Sequence, residues 1–497
     1  MIRKALILAT IAVLGFFLVI RFQMAFTQHF DVDEYAYLHW AVHVANGQVP
    51  FRDFYFFMPP GFLWFLVPAF WLVPEGLSQL FAARILEFGT FALLAGACGW
   101  LFWELKKSWT AILVPVFLLF LPLPGIKFTE VRPDTLAMAL VVLAILFTVR
   151  FIRSRSPGSG VLAGLFYGLS LYIIPKTIPA VLVGGYFLIA ASLKKKFSDL
   201  LWPAVGIGVV AAAFIFWIIY SGGWGMMDTV LYSIFGIPLE TSSKLSSLFP
   251  IPLYNYIPRN DYFYGVGSDI GRVTNHVLWA VAAIVAAWRL LSAILFSKRM
   301  GKAQESIIPL ICAGQTLFFV FVFTHHSQYY IPLAVWASWF LADGLHELWR
   351  WFREGNMRRI IFTAGYITGL MCLTYVFIFV YSTRWILPTK DTFDTLTNIW
   401  KTIPKTEYIL DLEGATLYYS DPYYACCTPF GQTQQYLSRP LPNLSESLER
   451  THTKYIYQGT SHRLDTLTLL DQVYITENFE PWEGHEELLV RKYSNSH

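Results

Sequence analysis

Four acidic side chains lie in two short stretches of the sequence where their carboxylates could do chemistry. Asp31, Asp33 and Glu34 lie near the start of the loop that follows the first long apolar run, and Asp134 opens a later run. A carboxylate at the mouth of a membrane span is costly to desolvate, so its presence favours a general base or a metal ligand. Helix capping by Asp31 or Asp33, and a helix dipole that attracts Asp134, explain the same residues. The residues alone leave both interpretations open.

The amino-acid composition indicates whether the chain is surrounded by water or by lipid. The chain has 497 residues, of which 56% are hydrophobic and 14% are charged, against roughly 45–50% and 25% in soluble domains. Aromatic residues reach 18%, and Trp and Tyr favour the bilayer interface. The net charge of +4 is small, and the basic residues form short clusters between apolar runs. We therefore expect a polytopic α-helical membrane protein, with membrane lipids as partners and no nucleic acid.

Apolar runs long enough to span a bilayer as helices predict about eleven spans. They cover Ala5 to Ile20, Phe81 to Trp103, Trp109 to Ile126, Leu136 to Phe151, Val161 to Ile174, Ile178 to Leu193, Leu200 to Tyr220, Val277 to Phe296, Ile307 to Phe323, Tyr329 to Leu348 and Ile360 to Tyr381.

Basic clusters in alternate loops predict the orientation, because cytoplasmic loops carry the excess of Lys and Arg. The clusters are Arg3/Lys4, Lys106/Lys107, Arg150/Arg153/Arg155, Lys194/Lys195/Lys196, Lys298/Arg299/Lys302 and Arg350/Arg353/Arg358/Arg359. This pattern predicts a multi-pass plasma (bacterial inner) membrane protein with a cytoplasmic N-terminus and an extracytoplasmic C-terminus.

The same orientation places three long segments outside the cytoplasm. We expect a membrane module over residues 1–381, with outer loops 21–80 and 221–276, followed by an extracytoplasmic soluble domain over 382–497. Alternating apolar residues and one helix-like stretch, Leu464 to Leu470, predict that this tail is a small α/β domain. In the first loop, Asp33 to Ala45 and Gly61 to Val73 are expected to form helices that lie in the membrane interface.

Two side-chain pairs have spacings that metal sites or disulfides use. His39 and His43 have the i, i+4 spacing of helical zinc ligands, but no third ligand is evident, so we expect a hydrated interfacial face. Cys426 and Cys427 are adjacent, and the usual disulfide geometry favours two packed thiols there.

The order of short motifs over roughly Met1 to Tyr381 resembles that of membrane glycosyltransferases with the GT-C fold. The similarity is to bacterial family 39 enzymes, which are related to protein O-mannosyltransferases and to the aminoarabinose and galacturonic acid transferases of lipid A. The matching residues are Asp33-Glu34-Tyr35, Asn46-Gly47-Gln48-Val49-Pro50, Asp53, Pro59-Pro60-Gly61, Arg132-Pro133-Asp134, Lys176 and Gln328-Tyr329-Tyr330-Ile331-Pro332.

This resemblance implies an inverting transfer of a sugar from a polyprenyl phosphate to an acceptor hydroxyl on a lipid, glycan or protein outside the cytoplasm. Asp33 would be the general base. Glu34 and Asp134 would orient the acceptor or, with Asp33, bind Mg²⁺ or Mn²⁺. Lys176, Arg132 and His326 would bind the donor phosphate.

Other interpretations stay open beside this one. Lys176 is also typical of a side chain that snorkels to the interface, and His326 of one that only caps or packs. Met58 and His325-His326 depart from the polar and basic residues common at those family positions. The alternative function is a transporter or flippase of lipid-linked sugars, which would place ionisable residues near mid-bilayer. A noncatalytic sensor would make the acidic motifs incidental.

Overall fold

The chain divides into two compact units that interleave along the sequence. The computed structural model describes residues 2–193, 196–241, 264–265, 267–295, 304–321, 327–382, 390–427, 434–459 and 462–492. The first unit comprises Met1–Gln28, Arg84–Phe214 and Ile251–Leu387, and the second comprises His29–Ala83, Ile215–Pro250 and Pro388–His497. The boundary near residue 387 lies close to the one predicted after residue 381. His29–Ala83 from the first long loop and Ile215–Pro250, which includes the start of the second, cluster with the tail rather than with the membrane helices.

Helices dominate the described residues. Helices α1 to α10 span Ile2–Thr27, Val32–Ala45, Gly61–Leu72, Leu77–Lys106, Leu113–Phe120, Pro122–Gly125, Pro133–Ser154, Pro157–Ile173, Ile178–Leu193 and Leu201–Leu231. Later helices span Ser268–Leu295, Ile307–Phe321, Tyr330–Phe352, Asn356–Tyr381, Lys390–Thr402, Leu444–Arg450 and Leu469–Asn478. Within α10, Gly223 has a φ of 70° and interrupts the helical conformation, which a residue without a Cβ allows at little cost.

Each predicted span coincides with a helix. Of the described residues, seven helices are long and apolar enough to cross a membrane, or eight if one pair bent by 93° counts as a single span. Two shorter apolar helices, Pro157–Ile173 and Gln304–Val320, account for two more. The eleventh predicted span is the helix Tyr330–Phe352, which carries Asp343 and Glu347 toward its C-terminal end. The prediction of a polytopic α-helical membrane protein is confirmed.

A buried arginine stabilises the bend between Trp109–Phe120 and Pro122–Phe128 in the first unit. Pro122 lacks an N–H and ends the preceding helix, which exposes backbone carbonyls that need donors. Arg21 is fully buried and supplies them: Nε donates to Leu119 O (3.0 Å) and Nη1 to Gly125 O (2.6 Å). Its Nη2 also donates to Tyr381 Oη (2.6 Å). The guanidinium therefore joins α1, the bend and a late helix.

The second unit contains a four-stranded sheet in the order β1-β2-β4-β3. The strands β1 to β4 span Ile409–Asp411, Tyr455–Tyr457, Phe479–Trp482 and His485–Arg491. Strand β1 runs parallel to β2, whereas β4 is antiparallel to both β2 and β3. The small C-terminal sheet predicted from alternating residues is confirmed. Tyr55 and Ile237, from the two long loops, belong to the same buried cluster as Leu410 and Ile456 of the sheet.

Two helices of the second unit differ from the sequence-based expectation. The stretch Leu464 to Leu470 is a 3₁₀ turn followed by a helix that begins at Leu469, because Thr468 caps it by accepting from Asp471 N. Helix α2 forms where it was expected, but every residue from Glu34 to Val44 is buried. The prediction of a hydrated interfacial face at His39 and His43 is therefore wrong.

Cys426 and Cys427 form a disulfide, where packed thiols were expected.

Arg21→Met should destabilise the first unit by about 2–4 kcal/mol, because it keeps the side chain's length but leaves buried acceptors without donors. The measurement is thermal unfolding of the purified protein in detergent. Arg353→Met is the matched control, since Arg353 is exposed and a surface change of this kind stays within about 0.5 kcal/mol. Equal melting temperatures for the two variants would contradict the role given to Arg21.

Candidate active site

The three acidic residues at the start of α2 have different partners. Asp31 is the N-cap, and its carboxylate accepts from Asp33 N (3.0 Å). Glu34 completes a capping box, because its carboxylate accepts from Asp31 N (2.9 Å). Glu34 is fully buried. Both acids therefore satisfy backbone donors that a helix start would otherwise leave without partners.

Asp33 lies between the two residues of the capping box and faces a different group. Its side chain is 42% exposed, and Oδ1 lies 3.5 Å from Nη2 of Arg463 in the C-terminal segment. Arg463 is itself fixed, because its Nη1 donates to Leu412 O and Cys427 O, both at 2.8 Å. Capping was the competing interpretation for this carboxylate, and the capping box uses Asp31 and Glu34 instead. The Asp33 carboxylate is thus both held and accessible.

In the first unit, Asp134 lies in the first turn of α7. Arg132 has the extended backbone of an N-cap residue, and Pro133 occupies the first helical position, where its missing N–H costs nothing. Asp134 is buried, and a negative charge there is favoured by the helix dipole. Its carboxylate also has a specific partner: Lys176 Nζ lies 3.1 Å from Oδ1.

Lys176 lies in a short 3₁₀ turn just before α9 and is a quarter exposed. Its ammonium also stands 3.9 Å from the centre of the Tyr329 ring, a cation–π distance. The side chain borders a small cavity whose other walls are mainly apolar, formed by Gln315, Phe318, Phe319, Tyr329, Pro332 and Leu333. This groove holds about 20 Å³, room for about one water molecule, so the feature suited to a phosphate is the ammonium itself.

Arg132 belongs to a buried charge network rather than to that groove. Its Nε lies 2.5 Å from Glu130 Oε2, and Lys127 Nζ donates to both oxygens of Glu130 at 2.8 Å. All three residues are at most 5% exposed. Buried charges persist only when paired in this way, so a phosphate reaching Arg132 would have to compete with Glu130.

The predicted site residues divide between the two compact units. Asp33 and Glu34 lie in one and Asp134, Arg132 and Lys176 in the other, so a cavity shared by Asp33 and Asp134 stays a prediction. His326 lies outside the described residues. The roles assigned to the six residues stay predictions as well.

Two site contacts were missed by the sequence analysis. The partner of Asp33, Arg463, comes from the far end of the chain and belongs to none of the recognised motifs. Lys127 precedes Arg132-Pro133-Asp134 by a few residues, and a charge directly after the apolar run Trp109 to Ile126 was the available signal. Among the described residues, two groups bring three possible metal-ligand atoms close together: His39 with Cys426 and Cys427, and His39 with His43 and Asp421. Neither group contains Asp33, Glu34 or Asp134.

The capping box predicts that substitutions of Asp31 and Asp33 differ in their effect on the free energy of unfolding. Asp31→Ala should lower the free energy of unfolding by about 0.5–2 kcal/mol, because it removes the N-cap acceptor. Asp33→Asn should change it by less than about 0.5 kcal/mol, since the side chain keeps its shape and lies outside the box. Thermal unfolding of the purified variants measures both. The reverse order of stabilities would return Asp33 to a capping role.

No protein-family model matches the sequence, and no curated protein matches it. Solved structures do match. ArnT from Cupriavidus metallidurans in the apo state superposes with a TM-score of 0.63 at 11% identity, over 97% of each chain. The same protein bound to undecaprenyl phosphate gives 0.61 at 12% identity, again over 97% of each chain.

A second protein shows the same architecture. The archaeal oligosaccharyltransferase AglB from Archaeoglobus fulgidus, solved with an inhibitory peptide and a dolichol-phosphate, matches with a TM-score of 0.57 at 11% identity, over 98% of this chain and 74% of its own. Identities this low show the fold and not the activity. The chain is an integral membrane protein with the GT-C fold.

Proposed function

We propose that this protein is an inverting glycosyltransferase that moves a sugar from a polyprenyl-phosphate donor to an acceptor hydroxyl. The observation that carries the proposal is the likeness in fold, over 97% of both chains, to a protein solved with undecaprenyl phosphate. The second neighbour was solved with dolichol-phosphate, which is another polyprenyl phosphate. A fold hosts chemistry through its site, so the local geometry has to supply the base and the phosphate contacts.

Asp33 is the proposed general base. A base must be ionised, accessible and held in place, and the Asp33 carboxylate is 42% exposed beside the guanidinium of Arg463. In the reaction it takes the proton of the acceptor hydroxyl as that oxygen attacks the anomeric carbon. The bond from the anomeric carbon to the phosphate oxygen breaks, and its electron pair leaves with the polyprenyl phosphate. One displacement inverts the configuration.

Lys176 is the proposed contact for the leaving phosphate. Charge develops on the phosphate oxygen as the bond breaks, and a cation positioned beforehand lowers the barrier most. The ammonium of Lys176 is positioned by Asp134 and by the Tyr329 ring. Arg132 and His326 complete the proposed phosphate-binding set.

Glu34 and Asp134 receive more specific proposed roles. Glu34 positions the base, since it fixes the helix turn that carries Asp33, and Asp134 positions Lys176. A Mg²⁺ or Mn²⁺ ion is a further part of the proposal, because carboxylate oxygens such as those of Asp33 are the ligands that such ions prefer. The steps proposed above do not pass through this ion.

The proposed reaction takes place on the extracytoplasmic face of the plasma membrane. The alternation of basic loops supports this orientation, since it puts the first loop, which carries Asp33, opposite the cytoplasm. The acceptor is a hydroxyl of a lipid, glycan or protein on that side.

Asp33→Asn should abolish transfer in cells that lack the wild-type protein, because removing a general base typically costs about 10²–10⁴ in rate. The measurement compares lipid-linked sugars and the glycan and lipid A profiles with and without each variant. Decoration should stay absent, and the polyprenyl-phosphate sugar should accumulate.

Asp31→Asn is the matched control for this experiment, since Asn caps a helix about as well as Asp, and it should restore decoration. Both proteins must be present in the membrane at wild-type amounts. Normal decoration by the Asp33→Asn protein would refute the assignment of the base.

Lys176→Met should weaken use of the donor by about 10–100-fold in kcat/KM, because a hydrogen bond to a charged group is worth about 1.5–3 kcal/mol. The probe is the polyprenyl-phosphate sugar extracted from the deletion cells, titrated against purified protein. Lys401→Met, at an exposed lysine, is the control and should behave as wild type. An unchanged dependence on donor concentration for Lys176→Met would leave that residue as an interfacial anchor only.

A further inference from the structure

Two buried histidines of α2 and one aspartate of the tail bring three ligand atoms to one point. His39 Nε2 lies 2.9 Å from Asp421 Oδ2 and 2.9 Å from His43 Nε2, and His43 Nε2 lies 3.4 Å from Asp421 Oδ2. The histidines are 1% and 4% exposed, and the Asp421 side chain is 9% exposed. All three residues belong to the second compact unit.

The hydrogen-bond partners of His39 determine whether the three ligand atoms share a proton or bind a cation. Its Nδ1 lies 3.1 Å from Leu417 O, and a carbonyl only accepts, so Nδ1 carries a hydrogen and donates it. In the neutral ring Nε2 then presents a lone pair, which faces a carboxylate oxygen and a second imidazole nitrogen. A proton added to Nε2 can point at one of these atoms but not at both. A cation at the centre contacts all three.

The dimensions fit a zinc ion. Zinc binds imidazole nitrogen and carboxylate oxygen at about 2.0–2.2 Å, which separates the ligand atoms of a tetrahedral site by about 3.3 Å. The separation of 3.4 Å matches this value, and the two separations of 2.9 Å would each have to widen by about 0.4 Å. A bond from the opposite ring nitrogen to a carbonyl, as His39 has to Leu417, is the usual outer contact of a zinc-ligating histidine.

The charge of the cluster also suits a cation. Asp421 supplies a carboxylate, and His39 and His43 supply imidazole nitrogens, which are the ligand types that zinc accepts. Cys426 and Cys427 lie near His39 as well, but as a disulfide they offer no thiolate.

We propose that His39, His43 and Asp421 bind one zinc ion, which fastens α2 to the C-terminal segment. The ion is structural rather than catalytic. His39 lies six residues beyond Asp33, a helical rise of about 9 Å, so the ion fixes the helix that carries the proposed base without touching the reacting atoms. This site is separate from the magnesium or manganese ion considered above, because imidazole ligands favour zinc.

Metal content tests the site independently of sugar transfer. Full-length protein is purified in detergent with an affinity tag that contains no histidine, and its metals are measured by mass spectrometry. We expect about one zinc per chain in the wild type and less than about a tenth in His43→Ala and in Asp421→Asn, since each lacks a ligand. His452→Asn, at an exposed histidine with a φ of 50°, should keep its zinc. Cys426→Ser Cys427→Ser should keep it too.

A second measurement guards against variants that fail to fold. The wild-type protein is stripped with a chelator and titrated with zinc while its melting temperature is followed. Stripping should lower that temperature, and about one equivalent of zinc should restore it. A wild type that contains no zinc and does not respond to it would show that the cluster shares a proton instead. Zinc retained in Asp421→Asn and His43→Ala, or lost in the cysteine variant, would also overturn the proposed ligand set.

Discussion

The structure depends on one constraint: a polar group that leaves water must find a partner. In the first unit the constraint is met by Arg21 at a broken helix, by the network around Glu130, and by the pair of Asp134 with Lys176. In the second unit it is met by the capping box of α2. These partnerships decide which ionisable groups are structural and which are left accessible to a substrate.

The three acids that begin the first loop show how this selection works. They are close in sequence and alike in chemistry, yet backbone donors engage Asp31 and Glu34 while Asp33 faces Arg463 at a partly exposed position. A side chain fixed by its neighbours loses little entropy when it engages a reactant. The same arrangement therefore stabilises the helix and prepares the carboxylate.

Much of the fold was predictable because hydropathy acts over whole segments. Ten of the eleven predicted spans each overlap one helix, Trp109 to Ile126 is a bent helix pair, and Tyr455 to Tyr457 is a strand. The position of Asp134 in a first turn followed from Pro133. Contacts between distant residues were not predictable, since no local pattern encodes them: Lys176 reaches Asp134, and Arg463 reaches back to Asp33. His39 and His43 were misjudged for the same reason, because their third neighbour, Asp421, comes from the tail.

The buried cluster under the C-terminal sheet has a consequence for how this protein can change over evolutionary time. Because Tyr55 and Ile237 belong to the same core as Leu410 and Ile456, residues 388–497 do not carry a complete core of their own. Recombination that exchanged this segment alone would leave apolar side chains on both sides without their complement. A tail taken from another protein would therefore have to fit the apolar side chains that Tyr55 and Ile237 contribute to this core.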